Sequence, residues 1–288
     1  MIEYTQNDFR LALEKIGVKA GDIFLISTEL FTLGRLKGAQ SKDEYAKMIL
    51  EAIFDVITDK GTVVVNAFTT YVARYGKPFD YKNSRPTTGS FSEYITFHPQ
   101  SVRSMHPIFS VAAIGGKAKM ICHDASLSNY GLGSPYEKML RLNAQVLRLG
   151  IDYTHNTYLH VVEALYGAPY LYNKVMDAEV IVDGQRSQKQ FLASVRYLKY
   201  PLDYSLEKVE AVLKKSNLVH SAKVGGGFVH RLDANEYCEN LVSLLKEDPY
   251  AFLKQSPQFI KGEIPYDGIT AGRDDVAQSA DYDFELAK

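Results

Sequence analysis

The chain has 288 residues, 46% hydrophobic and 23% charged, a globular composition that excludes disordered and collagen-like classes. Its 33 lysines and arginines balance 34 aspartates and glutamates, so the net charge of −1 offers no footprint for nucleic acid or an anionic membrane. Two cysteines, Cys122 and Cys238, cannot build a disulfide framework or a cysteine zinc site, and read as free thiols in a reducing compartment.

The opening MIEYTQNDFRLALEKIG reads as a helix, because Glu3, Asp8 and Glu14 interrupt its apolar positions and no basic segment precedes an apolar core. No apolar run approaches the roughly 18 residues of a membrane span, and the expectation is a cytoplasmic protein with no membrane insertion. Strand-sized runs rich in β-branched residues follow at Ile23 to Ile26, Thr62 to Val65, Phe109 to Ile114, Val146 to Leu149, Val180 to Val182 and Val224 to Val229. Between them, helix starts are marked by a capping residue with an acid three positions later: Ser41 with Glu44, Ser90 with Glu93, Ser134 with Glu137 behind Pro135, and Asp233 with Glu236. Continuous apolar strands such as IFLI and VVV imply a sheet covered on both faces, hence an α/β class in three layers. No G-x-G-x-x-G follows the first strand and no P-loop lysine motif exists, which argues against a dinucleotide or P-loop fold.

No repeat or linker divides the chain, so residues 1–262 read as one domain. An excursion or lobe is expected near 183–216, where RSQKQFLASVRYLKYPLDY turns basic and tyrosine-rich. Residues 263–288 read as an acidic surface or flexible tail, since IPYDGITAGRDDVAQSADYDFELAK carries six acids against two bases.

The densest set of reactive side chains is HNTYLHVVE. If a helix begins near Asn156, His160 and Glu163 lie about 60° apart on one face, where a carboxylate fixes the imidazole tautomer and leaves the other nitrogen as a base. Thr157, one turn earlier, offers a hydroxyl to a developing oxyanion. A metal reading of His155, His160 and Glu163 stands beside it, although His155 would project roughly 140° from His160 on a continuous helix and no zincin pattern is present. A second cluster, SVRSMHP, holds Arg103, Ser104 and His106 at the mouth of a strand. A third is the loop ISTELFTLGRLKG, whose backbone donors from Thr28 to Gly34 suit phosphate or pantetheine groups. Asp80 in GKPFD and the turn RPTTGSFSEY lie where they would line the same cleft. Each cluster also has a plain structural reading as loop, turn or satisfied core histidine.

Taken in order, these segments resemble the aminoglycoside 3-N-acetyltransferase family. GDIFLISTELFTLGRLKG, GTVVVNAFTT, KPFDYKNSRPTTGSFSEY, SVRSMHPIFSVAAIG, YGLGSPYEKML, VLRLGIDYTHNTYLHVVE and KVGGGFVHRLDANEY carry the match, over roughly residues 8 to 255. The resemblance implies a three-layer α/β/α sandwich with a central mixed sheet, and an N-acyltransferase moving acetyl from acetyl-CoA to an amino sugar by direct transfer. It implies His160 as the base with Glu163 as partner and Thr157 near the reacting carbonyl. Thr28, Leu33, Gly34, Arg103 and Ser104 fall on the CoA side, Asp80 and His106 on the substrate side, and no metal is required. The loop departs from the family pattern at Glu29, an acid where a small hydroxyl residue is usual. Arg186, Lys189, Arg196 and Lys199, against the single acid Asp203, favour a nucleotide-linked or cell-surface amino sugar over an aminoglycoside. The alternatives are a metal-dependent hydrolase and a non-catalytic CoA- or sugar-binding protein, and the 20 tyrosines leave a homodimer open.

Overall fold

Successive strand residues point to opposite faces, so a strand that is apolar throughout needs a cover on each side. The computed structural model describes residues 2–197 and 202–259. The expected tail at 263–288, and Lys199, lie outside the described residues. In chain order the first half contains β1 (Glu3–Tyr4), α1 (Gln6–Lys15), β2 (Ile23–Thr28), β3 (Arg35–Leu36), α2 (Lys42–Ile57), β4 (Thr62–Asn66), α3 (Thr70–Tyr75), β5 (Phe79–Asp80), α4 (Ser90–Phe97), β6 (Val102–Arg103) and β7 (Val111–Gly115). The second half contains α5 (Ala118–Cys122), α6 (Pro135–Arg141), β8 (Gln145–Leu149), α7 (Thr157–Tyr166), β9 (Leu171–Val182), β10 (Gln185–Arg196), α8 (Glu207–Lys215), β11 (His220–Val224), β12 (Gly227–Asp233) and α9 (Ala234–Glu247).

Among the described residues, a seven-stranded mixed sheet runs in the order β11-β12-β8-β2-β4-β7-β6. Its three central strands, β8, β2 and β4, are parallel, and the flanking pairs are antiparallel. Phe24, Ile26, Val63, Val65, Leu147 and Leu149 enter one core, which is closed by α1, α2 and α4. Ile23, Leu25, Val64 and Val146, the intervening residues, enter the other, which is closed by α5 to α9. The three-layer sandwich expected from the continuous apolar runs is the observed architecture.

The caps divide instructively. Ser41, Ser134 and Asp233 each accept from the backbone N–H three residues on, as their spacing predicts. Ser90 does not: it is the first residue of α4, Gly89 holds the cap position, and Glu93 turns instead to Arg85. The run from Val224 to Val229, read as one strand, is the end of β11, a turn at Gly225 and Gly226, and the start of β12. Gly225 has φ +55° there, and the N–H of Gly226 donates to Leu33 O at 2.8 Å. The excursion expected near 183–216 corresponds to two separate things. β9 and β10 form a long hairpin joined to β5 in a three-stranded sheet, whereas α8 packs on α9 in the main body through Val209 and Leu213.

Candidate active site

In an open α/β sheet, ligands bind beyond the carboxyl ends of the parallel strands. Here β2, β4 and β8 end together at Thr28, Asn66 and Leu149, and the loop after β8 leads into α7. That loop is held from within. Arg148, buried, donates through Nε to Asp152 O at 2.8 Å and through Nη2 to His155 O at 2.9 Å, and Tyr237 donates to Thr154 O at 2.9 Å. Asn156 caps α7 by accepting from the N–H of Tyr158.

On the first turns of α7, His160 Nδ1 meets Glu163 Oε2 at 2.7 Å. Glu163 is fully buried, and its oxygens accept from Tyr170 at 2.7 Å and from Tyr204 at 2.8 and 3.1 Å. Both tyrosine hydroxyls are held far above their ordinary range by burial and by the neighbouring carboxylate, so they remain donors. A carboxylate so surrounded accepts only, which puts the His160 proton on Nδ1 and leaves Nε2 bare. Thr157 opens the helix. Its Oγ1 accepts from Asn66 Nδ2 at 2.7 Å, and Tyr136 fixes the amide by donating to Asn66 Oδ1 at 2.7 Å. The Thr157 hydroxyl hydrogen is thereby left for another acceptor.

His155 behaves differently from the helical extrapolation. It precedes the cap, off the helix, and its Nε2 comes to 3.3 Å from His160 Nε2, with its ring stacked on Tyr204. Burial first, then the neighbouring His160 and Arg148, hold its pKa below the ordinary histidine value. The geometry counts against the metal reading: His155 faces Nε2 of His160, whereas Glu163 engages Nδ1 on the opposite side of the ring. One ion cannot meet all three.

His160 and His155 stand between two cavities. One, of about 290 Å³, is lined by Ser27, Thr28, Asn66, Thr88, Arg148 and Thr157 among others. The other, of about 330 Å³, includes Phe109, Tyr130, Leu171, Ser194, Arg196 and Tyr204, with Glu163 behind them.

Of the remaining predicted residues, most are held by hydrogen bonds within the fold, and Thr28 reaches one of the cavities. Arg103 is buried, and its guanidinium is spent on Ser110 Oγ, Ser84 O and Ala67 O. Ser104 Oγ accepts from Val111 N, and Asp80 closes a turn by accepting from Lys82 N, Asn83 N and Asn83 Nδ2. Of the loop residues, Thr28 reaches the smaller cavity, while Leu33 is buried in the core. Gly34 serves the backbone, since its φ is +104° and an added Cβ would stand 2.2 Å from Ile2 O. Gly34→Ala is therefore expected to lower stability by at least about 2 kcal/mol, read from the urea midpoint.

His106 is buried as well. Its Nδ1 accepts from Ile108 N and Phe109 N, and its Nε2 lies 3.2 Å from Leu192 O. Burial pushes its pKa down to about 4. The folded protein keeps it neutral while the unfolded chain protonates below about 6.5, so stability is lost as pH falls from 6.5 toward 4. The loss approaches about 3 kcal/mol. Urea curves across this range should show a shallower decline for His106→Asn, which keeps an acceptor but cannot titrate.

Sequence reasoning missed Asn66, Tyr136, Tyr204, Tyr170 and Arg148. The one available signal was that Asn66 ends an apolar parallel strand and Arg148 interrupts another.

The mixed sheet thus carries a buried acid, a paired histidine and two adjoining cavities beyond the carboxyl ends of its parallel strands. The model of the aminoglycoside 3-N-acetyltransferase family matches residues 25–246, and the chain belongs to that family. It is 27% identical over 238 residues to the SPbeta prophage-derived aminoglycoside N(3')-acetyltransferase-like protein YokD of Bacillus subtilis (strain 168), covering 74% of this chain and 80% of that one. It is 26% identical to aminoglycoside N(3)-acetyltransferase IV of Salmonella sp, covering 84% and 87% respectively. The crystal structure of aminoglycoside acetyltransferase AAC(3)-Xa superposes with a TM-score of 0.73 at 22% identity, covering 85% of this chain and 93% of that one. The AAC-IIIb binary complex with CoASH gives 0.72 at 22%, covering 88% and 100%. Among the described residues no helix is long and apolar enough to cross a membrane.

Proposed function

We propose that the protein transfers an acetyl group from acetyl-CoA to an amine of an amino sugar, by direct attack in a ternary complex. The observation that carries this is the His160–Glu163 pair at the junction of two cavities. The smaller cavity, walled by Thr28, Thr88, Asn66 and Thr157, suits the uncharged thioester arm of acetyl-CoA as substrate. The larger suits the acceptor.

An ammonium has no lone pair, so the nucleophile must be neutral amine beside the carbonyl carbon. His160 Nε2 takes the proton as the N–C bond forms, and Glu163 steadies the imidazolium through Nδ1–H. Thr157 Oγ1–H supports the carbonyl oxygen as it gains charge. The C–S bond then breaks, and the thiolate takes the proton back from His160 to leave as CoASH. No protein nucleophile is needed. Cys122 and Cys238, whose thiols burial pushes up to about 12, line neither cavity.

The relatives' names speak for aminoglycosides as acceptors. The contrary preference from the basic stretch at Gln185 to Tyr204 loses most of its footing. Of its described cations, Arg186 pairs with Glu179 on the hairpin, Lys189 is exposed on it, and only Arg196 lines the acceptor cavity. The test is thiol release from acetyl-CoA against a panel of aminoglycosides and amino sugars, with product mass confirming N-acetylation. Amine-dependent release that survives exhaustive EDTA dialysis supports the reading. Chelator-sensitive hydrolysis would restore the metal alternative, and CoA binding without turnover would leave a binding protein.

A further inference from the structure

We propose that His155 is a proton shuttle, which carries to solvent the one proton per turnover that His160 cannot return to the products. This rests on the transferase reading and adds a residue to it.

The need for a shuttle follows from counting protons. Aliphatic amines are mostly protonated near neutral pH, since their pKa values run from about 7.7 for an α-amino group to about 10.4 for lysine. The overall change is then R–NH3+ plus acetyl-CoA giving the amide, CoASH and a free proton. The proton that leaves nitrogen during attack returns to the thiolate through His160. The earlier one, lost when the ammonium becomes an amine, has no place in either product and must reach water.

The structure offers a way out. Inward from His160 the path is closed, because Glu163 is fully buried and accepts from His160, Tyr170 and Tyr204. Outward it is open. His155 is exposed, lines both cavities, and places its Nε2 at 3.3 Å from His160 Nε2. Glu163, His160 and His155 thus form a row from the core to the surface. The His155 ring is stacked on Tyr204 with centroids 5.9 Å apart, and Arg148 Nη2 holds its carbonyl at 2.9 Å.

The transfer returns the site to its starting state. With His160 Nδ1–H held by Glu163, the resting contact is His155 Nε2–H donating to His160 Nε2. The bound ammonium displaces it and gives a proton to His160 Nε2, while the freed His155 ring exchanges with water to its Nδ1–H tautomer. His155 Nε2 then takes the proton from His160, and the proton on His155 Nδ1 leaves to water. A neutral amine now stands beside a neutral base.

The ionisable groups facing His155 are His160 and Glu163 from α7, Arg148 from β8, Asp152 from its own loop, and Tyr204 and Arg196 on the wall of the larger cavity. Burial, His160 and Arg148 outweigh the two acids and hold its pKa below the ordinary histidine value, so near neutral pH the proton passes on to water.

The test is steady-state thiol release from acetyl-CoA with gentamicin and with glucosamine, in dilute and in concentrated imidazole buffer at constant ionic strength. At about pH 6.5, where the amines are protonated, His155→Ala in dilute buffer should lose at least about tenfold in kcat relative to wild type. Added imidazole should restore the rate with saturation, and the loss should shrink as pH rises through the acceptor's own pKa. His155→Gln, which keeps a polar side chain but carries no proton, should be as slow as the alanine variant. A role confined to holding the loop would be eased by glutamine and indifferent to imidazole and to pH. An undiminished rate in His155→Ala, or a loss that neither imidazole nor pH alters, overturns the shuttle and leaves the transferase standing. A wild type that releases thiol with neither amine removes the transferase reading, and the shuttle falls with it.

Discussion

His160→Ala is expected to lower kcat for amine acetylation by about 10²- to 10⁴-fold while leaving CoA affinity near wild type. The imidazole is about one-third exposed at the cavity junction, so its removal opens no sealed void and strips the chemistry with little of the fold. What is lost is specific: Nε2 is the only unprotonated nitrogen of the ring once Glu163 has fixed Nδ1–H. His155, at 3.3 Å, is not placed to substitute, since among the described residues its ring has no carboxylate hydrogen-bond partner to steady a positive charge. The measurement is steady-state thiol release, with CoA titrated separately by calorimetry. A variant that retains a tenth or more of wild-type kcat would remove His160 from the role of base. A variant that loses CoA binding would place the histidine on the donor side instead.

What could be read from the sequence was whatever is local. His160 and Glu163 share a helix face because three residues on a helix dictate it, and Asn156 announces the start of that helix. The two-faced burial of β2, β4 and β8 was equally local, since Phe24 and Leu25 belong to different cores while being neighbours in the chain. Tyr204 and Asn66 could not be read, because nothing in a one-dimensional pattern shows that a tyrosine 41 residues away reaches Glu163, or that an asparagine 91 residues away reaches Thr157. The contacts of SVRSMHP could not be read for a related reason. Buried Arg103 and His106 look chemical in a sequence, but their hydrogen bonds go to main-chain atoms that only the folded chain brings to them. His155 was misjudged by extending a helix one residue past its cap, where the backbone of Asn156 is already extended.

Glu163→Gln provides the second large effect, and its cause can be separated from the first. The carboxylate receives four contacts from three donors, His160 Nδ1, Tyr170 and Tyr204. A carboxamide has one accepting oxygen and one donating nitrogen, so whichever way it turns, N–H meets N–H or O–H at a fully buried position. One unsatisfied buried donor costs about 1–3 kcal/mol, which urea unfolding should detect. Relief comes most easily if His160 shifts its proton to Nε2 and accepts the amide at Nδ1. That tautomer is the wrong one for the proposed reaction, because Nε2, the nitrogen proposed to take the amine's proton, then already carries one. The expected result is a kcat lowered by about 10²- to 10⁴-fold, close to that of His160→Ala, and a double variant scarcely worse than either single one. Multiplicative losses in the double variant would mean that the two residues act independently, and the pair would then have to be abandoned as a unit.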